Sequence, residues 1–246
     1  MVETKLDHIA FGVPDVAPVA DLLAGHLGGR ERGSGPGNGF VFWQWEFARG
    51  GAIEVIVPEG PPDGFLHRFL AARGAGPHHV TFKVPDIHAA LDRARMYGYE
   101  PVGFDDRFPG WKEAFLHPKQ AQGIVVQFAE SHPELEDGDW GDAVRPKFPN
   151  TRTGSEPVQV VGLLLSSRSE ERALRQWQSL LGGALAREAD RLVFRWPESP
   201  LRIAVRVAPD AGEGPLALEL AAAHRLALPE GPHPALALPL VQVEAR

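Results

Sequence analysis

The 246-residue sequence contains no cysteine, which removes disulfides, cysteine nucleophiles and thiolate metal ligands from consideration. Any metal must therefore be held by nitrogen and oxygen. No apolar run approaches the roughly 18 residues that a membrane-spanning helix needs. The amino terminus, Met1-Val2-Glu3-Thr4-Lys5, lacks the apolar core of a secretion signal. A cytoplasmic location without membrane attachment is the expectation. Clusters of Lys and Arg are missing as well and the formal net charge is -7, so a nucleic-acid surface is not expected. What the chain has instead is 27 Gly and 23 Pro, gathered mainly between periodic segments, as suits many short strands rather than long helices. Its length accommodates one large domain or two of about 100 to 150 residues.

An internal repeat sets the organisation. His8-Ile9-Ala10-Phe11-Gly12-Val13-Pro14-Asp15 recurs, 71 residues later, as His79-Val80-Thr81-Phe82-Lys83-Val84-Pro85-Asp86, with five of eight positions identical. Each copy reads as a strand ending at Pro, followed by Asp15 or Asp86 placed to cap a helix. Val16, Val19, Ala20, Leu23 and Leu27 fall on one helical face in the first copy; Ile87, Ala90, Leu91 and Ala94 do so in the second. Further strands are expected at 40–47 and 52–57, then at 99–104, 112–116 and 124–128, with a poorly marked one within 30–39. Each copy is thus a βαβββ unit. A third copy begins at Val160, with a helical stretch at 170–181 and strands at 192–196 and 202–208. Gly214-Pro215-Leu216-Ala217 then echoes Gly76-Pro77-His78-His79, as if a fourth unit began and was cut short. Residues 131–157, rich in Pro and Gly and without periodicity, read as a linker. The expected domains are therefore 1–130, two paired units, and 158–246, a degenerate and truncated module.

Equivalent positions of repeated strands point into one shared cavity when two units pair about a pseudo-two-fold axis. His8 and His79 are such a pair. Glu54, in Ile53-Glu54-Val55-Ile56-Val57, and Gln127, in Ile124-Val125-Val126-Gln127-Phe128, are a second, each the polar residue of an apolar strand. A buried carboxylate or amide is costly without a partner, and a divalent cation is an effective one. The expected metal site is His8, Glu54, His79 and Gln127. On the strand at 40–47, Val41, Trp43, Trp45 and Phe47 form a continuous apolar face, leaving Phe40, Phe42, Gln44 and Glu46 towards the cavity. Glu46 is there a candidate base, and Phe42 and Gln44 are candidate substrate contacts. Arg107, Trp111 and Lys112 are placed at the mouth to meet an anionic substrate. His78 has the opposite strand parity from His79, and His117 and Lys119 belong to a turn. In the third copy the ligand positions read Gly162 and Val205, and the echo of His79 is Ala217, so no metal is expected in the second half.

The same motifs carry a resemblance. Leu6-Asp7-His8-Ile9-Ala10, Ile53-Glu54-Val55-Ile56-Val57-Pro58, Gly76-Pro77-His78-His79-Val80 and Phe115-Leu116-His117-Pro118-Lys119 before Gly123-Ile124-Val125-Val126 resemble methylmalonyl-CoA epimerases, in the vicinal-oxygen-chelate superfamily that also includes glyoxalase I. The resemblance implies an α+β fold. Paired βαβββ units would form a curved, half-open mixed sheet around one divalent metal, held by the first and last strand of each unit. It also implies a departure: the family usually carries Glu at the position of Gln127, and its second acidic group falls here on Phe42. If a proton is abstracted, Glu54 is the better base, since an amide has no useful basicity.

Two imidazoles, a carboxylate and an amide oxygen suit Co²⁺, Ni²⁺, Mn²⁺, Fe²⁺ or Zn²⁺. The expected function is a metal-dependent isomerase, epimerase or lyase that stabilises an enediolate or enolate of a small carbonyl compound or thioester. A ring-cleaving extradiol dioxygenase and a non-catalytic ligand-binding or resistance protein are the alternatives on the same fold. The expected partner is a small-molecule substrate; the second half serves as a pseudo-symmetric partner, a cover for the cavity, or a homodimer surface.

Overall fold

The computed structural model describes residues 4–135 and 158–244. Most of the expected linker, from residue 136 to 157, lies outside them. The first half builds β1 (Lys5–Gly12), a helix α1 (Ala17–Ala20, continued by a π-helical turn Asp21–His26), β2 (Arg30–Pro36), β3 (Phe40–Glu46), β4 (Ala52–Pro58) and α2 (Phe65–Arg73). It continues with β5 (Gly76–Lys83), α3 (Ile87–Met96), β6 (Val102–Phe108), β7 (Trp111–Leu116) and β8 (Val125–Ser131). The second half follows with β9 (Gln159–Ser167), α4 (Glu170–Ala173, continued by a π-helical turn Leu174–Leu180), β10 (Ala184–Glu188), β11 (Arg191–Arg195) and β12 (Arg202–Val207). Strands β13 (Gly214–Ala221), β14 (Pro232–His233) and β15 (Leu238–Gln242) complete it. Strands β1 to β8 form one sheet in the order β2-β3-β4-β1-β5-β8-β7-β6, and β9 to β15 another in the order β10-β11-β12-β9-β13-β15-β14. The α+β class, the mixed sheets and the two-module build agree with the repeat.

In each complete βαβββ copy the first strand pairs in parallel with the last and the intervening strands pair antiparallel. Thus β1 lies against β4, β5 against β8, and β9 against β12. The fourth copy keeps the parallel pair, β13 with β15, but has no helix among its described residues. Helix α3 starts as expected, with Asp86 Oδ1 accepting the Ala89 N–H at 3.0 Å. Asp15 does not cap α1 in that way. Its Oδ1 accepts from Ala17 N, Val16 occupies the cap position, and Pro18 in the first turn has no N–H to offer. The nine-residue α2 was not foreseen: the stretch from Phe65 to Arg73 leaves only Leu66 buried, too little apolar periodicity to mark a helix in sequence.

Contacts gather the chain into two compact units. Among the described residues, one comprises 4–8, 79–135 and 162–216; the other 9–78, 158–161 and 217–244. In the first, Phe82 meets Trp196 edge-on at 4.9 Å and lies 6.3 Å from Trp177, and the Trp196 indole donates to Leu181 O at 2.6 Å. Arg93 Nε donates to Leu180 O at 2.8 Å, satisfying a carbonyl at the end of the α4 π-turn. Fully burying each such aromatic contributes roughly 1.5 to 3 kcal/mol. In the second unit the core is Phe11, Leu23, Trp45, Ile53, Ile56 and Leu66, all essentially inaccessible. Strand β3 alternates there as its sequence predicts, with Val41, Trp43 and Trp45 buried and Phe40, Phe42, Gln44 and Glu46 partly exposed on the other face. No described helix is long and apolar enough to cross a membrane.

Candidate metal centre

Strand parity accounts for how the site residues converge. On β1, His8 shares a face with Ala10, and Ala10 stands directly across from Glu54 of β4. Gln44 of β3 opposes Glu54 from the other side. On β5, His79 shares a face with Thr81, and Thr81 opposes Gln127 of β8. The outcome is that one ligand atom from each of His8, Glu54 and His79 lies within 4.8 Å of the others. Relative exposures are 1, 8 and 5%, so all three polar heads are withdrawn from bulk water. The imidazoles of His8 and His79 meet edge-on, with ring centroids 5.9 Å apart.

The surrounding hydrogen bonds constrain each group. Asp7 Oδ2 lies 2.8 Å from His8 Nδ1, and Gln44 Nε2 donates to Glu54 Oε2 at 2.7 Å. Thr81 Oγ1 donates to Gln127 Oε1 at 2.6 Å and lies 2.9 Å from His8 Nε2. Gln127 Nε2 in turn donates to Glu113 Oε2 at 2.7 Å. This last bond fixes the amide, because only its NH₂ can face a carboxylate; its oxygen must then face Thr81. The Thr81 hydroxyl has one proton, spent on Gln127, so it presents lone pairs to His8 Nε2. His8 thus has Asp7 at Nδ1 and Thr81 at Nε2, and a carboxylate at one ring nitrogen is the support that commonly orients a ligating imidazole. Two buried imidazoles and a buried carboxylate with this support fit a divalent metal.

Gln127 does not meet the cluster as a free amide, because both its oxygen and its nitrogen are engaged by Thr81 and Glu113. Other expected residues separate from the site. Glu46 lies at the strand end, paired with Arg30 of β2; Arg107 is exposed and held in a fork by Asp105. Lys112 has the wrong parity: it opposes Glu130 rather than Gln127, and its Nζ binds that carboxylate at 2.6 Å. Trp111 is on the Gln127 face, its indole donating to Glu113 Oε2 at 3.0 Å, with Lys83 Nζ 5.7 Å from its ring centroid. Phe42 and Gln44 both lie on the Glu54 face. The Phe42 ring covers Gly35, where a Cβ would come within 2.9 Å of it.

His78 turns towards α2, packing edge-on against Phe69 at 4.8 Å. Burial pushes its imidazole down to about 4, despite the opposing pull of the Glu54 carboxylate. His117 Nδ1 accepts the Lys119 N–H within a turn, as its sequence suggests. In the second module the register corrects one assignment. Gly162 opposes Arg202 and Leu164 opposes Ala204, so Ala204, not Val205, is the counterpart of Glu54. At Gly162, with φ of +156°, a Cβ would lie 1.9 Å from Arg202 O. Backbone crowding thus leaves no room for a side chain at the counterpart of His8. Asp7, Thr81 and Glu113 were missed in sequence, although Thr81 follows His79 by two and therefore shares its face.

Residues 7–115 match the profile of the Glyoxalase/Bleomycin resistance protein/Dioxygenase superfamily. Among curated proteins it is similar to an ethylmalonyl-CoA/methylmalonyl-CoA epimerase of Cereibacter sphaeroides, 29% identical over 136 residues, covering 51% of this chain and 97% of that protein. It is also similar to the uncharacterized protein YqjC of Bacillus subtilis, 25% identical over 51% of this chain and 91% of that one. Among solved structures, methylmalonyl-CoA epimerase from Mycobacterium tuberculosis has a TM-score of 0.49 at 24% identity, over 53% of this chain and 90% of that chain. A triple mutant of 4-hydroxymandelate synthase from Streptomyces coelicolor has a TM-score of 0.58 at 12% identity and covers 90% of this chain and 71% of that one. The likeness to the synthase concerns the fold alone, and it extends over both modules.

Proposed function

We propose that the chain is a metal-dependent isomerase or lyase that moves a proton next to a carbonyl, with an acyl thioester such as methylmalonyl-CoA as the first substrate to test. The observation that supports this reading most is the buried His8, Glu54 and His79 cluster, together with the Asp7 hydrogen bond that orients His8. His8, Glu54 and His79 would hold the ion, with the Gln127 oxygen as a fourth donor once Thr81 turns away from it. When bound, a divalent ion supplies Lewis acidity, which favours negative charge on a substrate oxygen. Asp7 keeps the His8 ring in one tautomer and orientation, and Gln44 holds one oxygen of Glu54. The Phe42 ring and Trp111 contribute apolar surface beside these polar groups, limiting water around the substrate. The likeness to the Cereibacter epimerase directs the choice of thioester.

Purified protein is expected to contain or take up one divalent ion per chain, measured by elemental analysis and calorimetric titration with Co²⁺ or Zn²⁺. His8→Ala and His79→Ala should each abolish it. At a metal concentration one hundred times Kd, the wild type should gain about 2.7 kcal/mol of stability. A metal-free protein whose stability ignores added ions would overturn the reading. Two imidazoles and one carboxylate also make the ligand set of a non-haem iron oxygenase. Oxygen uptake with catechols under Fe²⁺, against α-proton exchange with methylmalonyl-CoA in D₂O, divides the two chemistries.

A further inference from the structure

The repeat relates Glu54 to Gln127, 73 positions apart, and the sheet registers extend that relation to the neighbouring strands. Gln44 stands opposite Glu54 on β3, and Phe115 stands opposite Gln127 on β7. Gln44 and Phe115 are therefore counterparts. Two residues earlier on each strand, and on the same face, Phe42 and Glu113 are counterparts as well. The first copy presents a phenyl ring where the second presents a carboxylate.

Glu113 is built into the site. Its Oε2 accepts from Gln127 Nε2 at 2.7 Å and from the Trp111 indole at 3.0 Å, and through Gln127 and Thr81 it is linked to His8 Nε2. Its position is thus set by the same bonds that orient the candidate ligand strand. The other carboxylates on these faces have different tasks. Glu54 sits in the three-residue cluster with one oxygen held by Gln44, and Glu46 is paired with Arg30. On the first copy's side the residues of β3 that share the site face are Phe40, Phe42, Gln44 and Glu46, and of these only Glu46 is a carboxylate.

We infer that Glu113 is the catalytic base, and that the site carries a single proton-transfer carboxylate on the second copy's wall. The inference rests on the metal-dependent reading above. In the forward step the C–H bond of the carbon next to the carbonyl breaks, and its proton passes to the Glu113 carboxylate. The electron pair moves onto the carbonyl oxygen. In the return step the carboxylic acid gives the proton back to the same face of the substrate, at the same carbon or its neighbour. One base on one wall favours exchange with retention, a one-face isomerisation or an elimination. Inversion needs a second acid, and the first copy's counterpart of Glu113 is Phe42, which has no proton to give.

The test uses the full-length protein loaded with Co²⁺ and thioesters carrying an exchangeable α-proton, followed by NMR in D₂O with a chiral readout of configuration. Glu113→Gln should bind Co²⁺ within about twofold of wild type, by calorimetry, yet lose about 100-fold or more in exchange rate. Glu113→Asp should recover part of that rate. Glu54→Gln should weaken Co²⁺ binding itself. Wild type should exchange its label faster than it inverts, and Phe42→Glu should raise inversion relative to exchange. Unchanged exchange in Glu113→Gln would overturn the assignment of the base while leaving the metal reading intact. Inversion as fast as exchange in wild type would overturn the single-base reading. Stoichiometric metal with no exchange of any thioester would overturn both; no metal binding at all would remove the reading on which the inference rests.

Discussion

Lys112 separates two accounts of the β7 strand, and the perturbation that tests them is at its partner Glu130. This carboxylate is buried at the end of β8. It accepts from the Ile87 N–H at the start of α3 at 2.7 Å, from Lys112 Nζ at 2.6 Å, and contacts His132 Nε2 at 2.7 Å. Burial alone would raise its pKa; the Lys112 hydrogen bond, the Ile87 N–H and His132 outweigh that and bring it from 4.5 to about 2. A carboxyl lowered that far contributes about 3 kcal/mol at neutral pH as an upper figure, and the partial exposure of Lys112 and His132 reduces the expectation to about 2 kcal/mol. The sign follows from the lowered value. The contribution is complete above about pH 4.5 and disappears as pH falls towards 2, where the folded state must also take up the proton. Glu130→Gln should therefore cost about 2 kcal/mol at pH 7, or about 4 to 8 °C in Tm for a chain of this size, and should flatten the acid limb of the stability profile. Urea denaturation followed by tryptophan fluorescence from pH 2.5 to 8 measures both. Lys112→Met should lower stability in the same experiment without altering Co²⁺ affinity. An unchanged midpoint at pH 7 and an unchanged acid limb in Glu130→Gln would refute this account and reopen Lys112 as a residue available to substrate.

Two further outcomes complete those set out for the metal and for Glu113. Asp7→Asn should keep the fold and weaken Co²⁺ binding by about 10 to 100-fold, the usual effect of losing the group that orients a ligating imidazole; calorimetric titration reads it directly. Gly162→Ala should destabilise by about 3 kcal/mol or more, because its Cβ would overlap Arg202 O and its φ of +156° disfavours a side chain. Thermal unfolding of that variant, with Co²⁺ stoichiometry unchanged in the surviving folded fraction, checks it.

The repeat made much of the fold legible. Identical strand endings at Pro14-Asp15 and Pro85-Asp86, and the apolar faces of α1 and α3, are local signals that hydrophobic period and capping chemistry create directly. Strand parity on β3 was equally readable, since Trp43 and Trp45 alternate with Gln44 and Glu46. Helix α2 escaped because it buries only Leu66, and β2 because Gly33, Gly35 and Pro36 give it little side-chain pattern. The register at Ala204 escaped for a related reason: in Ile203-Ala204-Val205 every residue is apolar, and no polar marker distinguishes one face from the other.

The sequence by itself determined that His8, His79, Glu54 and Gln127 occupy matching places in repeated strands, because a repeat and a period of two need no tertiary information. It also ruled out thiolate ligands. Only the tertiary structure decided which polar groups meet. Pairing register directed Lys112 to Glu130 and away from the site, brought Gln44 onto Glu54, and set Glu113 against Gln127. Those outcomes depend on which strand lies beside which and with what offset, and a one-residue shift exchanges the two faces of a strand. For that reason the residues of the His8, Glu54 and His79 cluster could be anticipated one by one, while the base proposed at Glu113 could not.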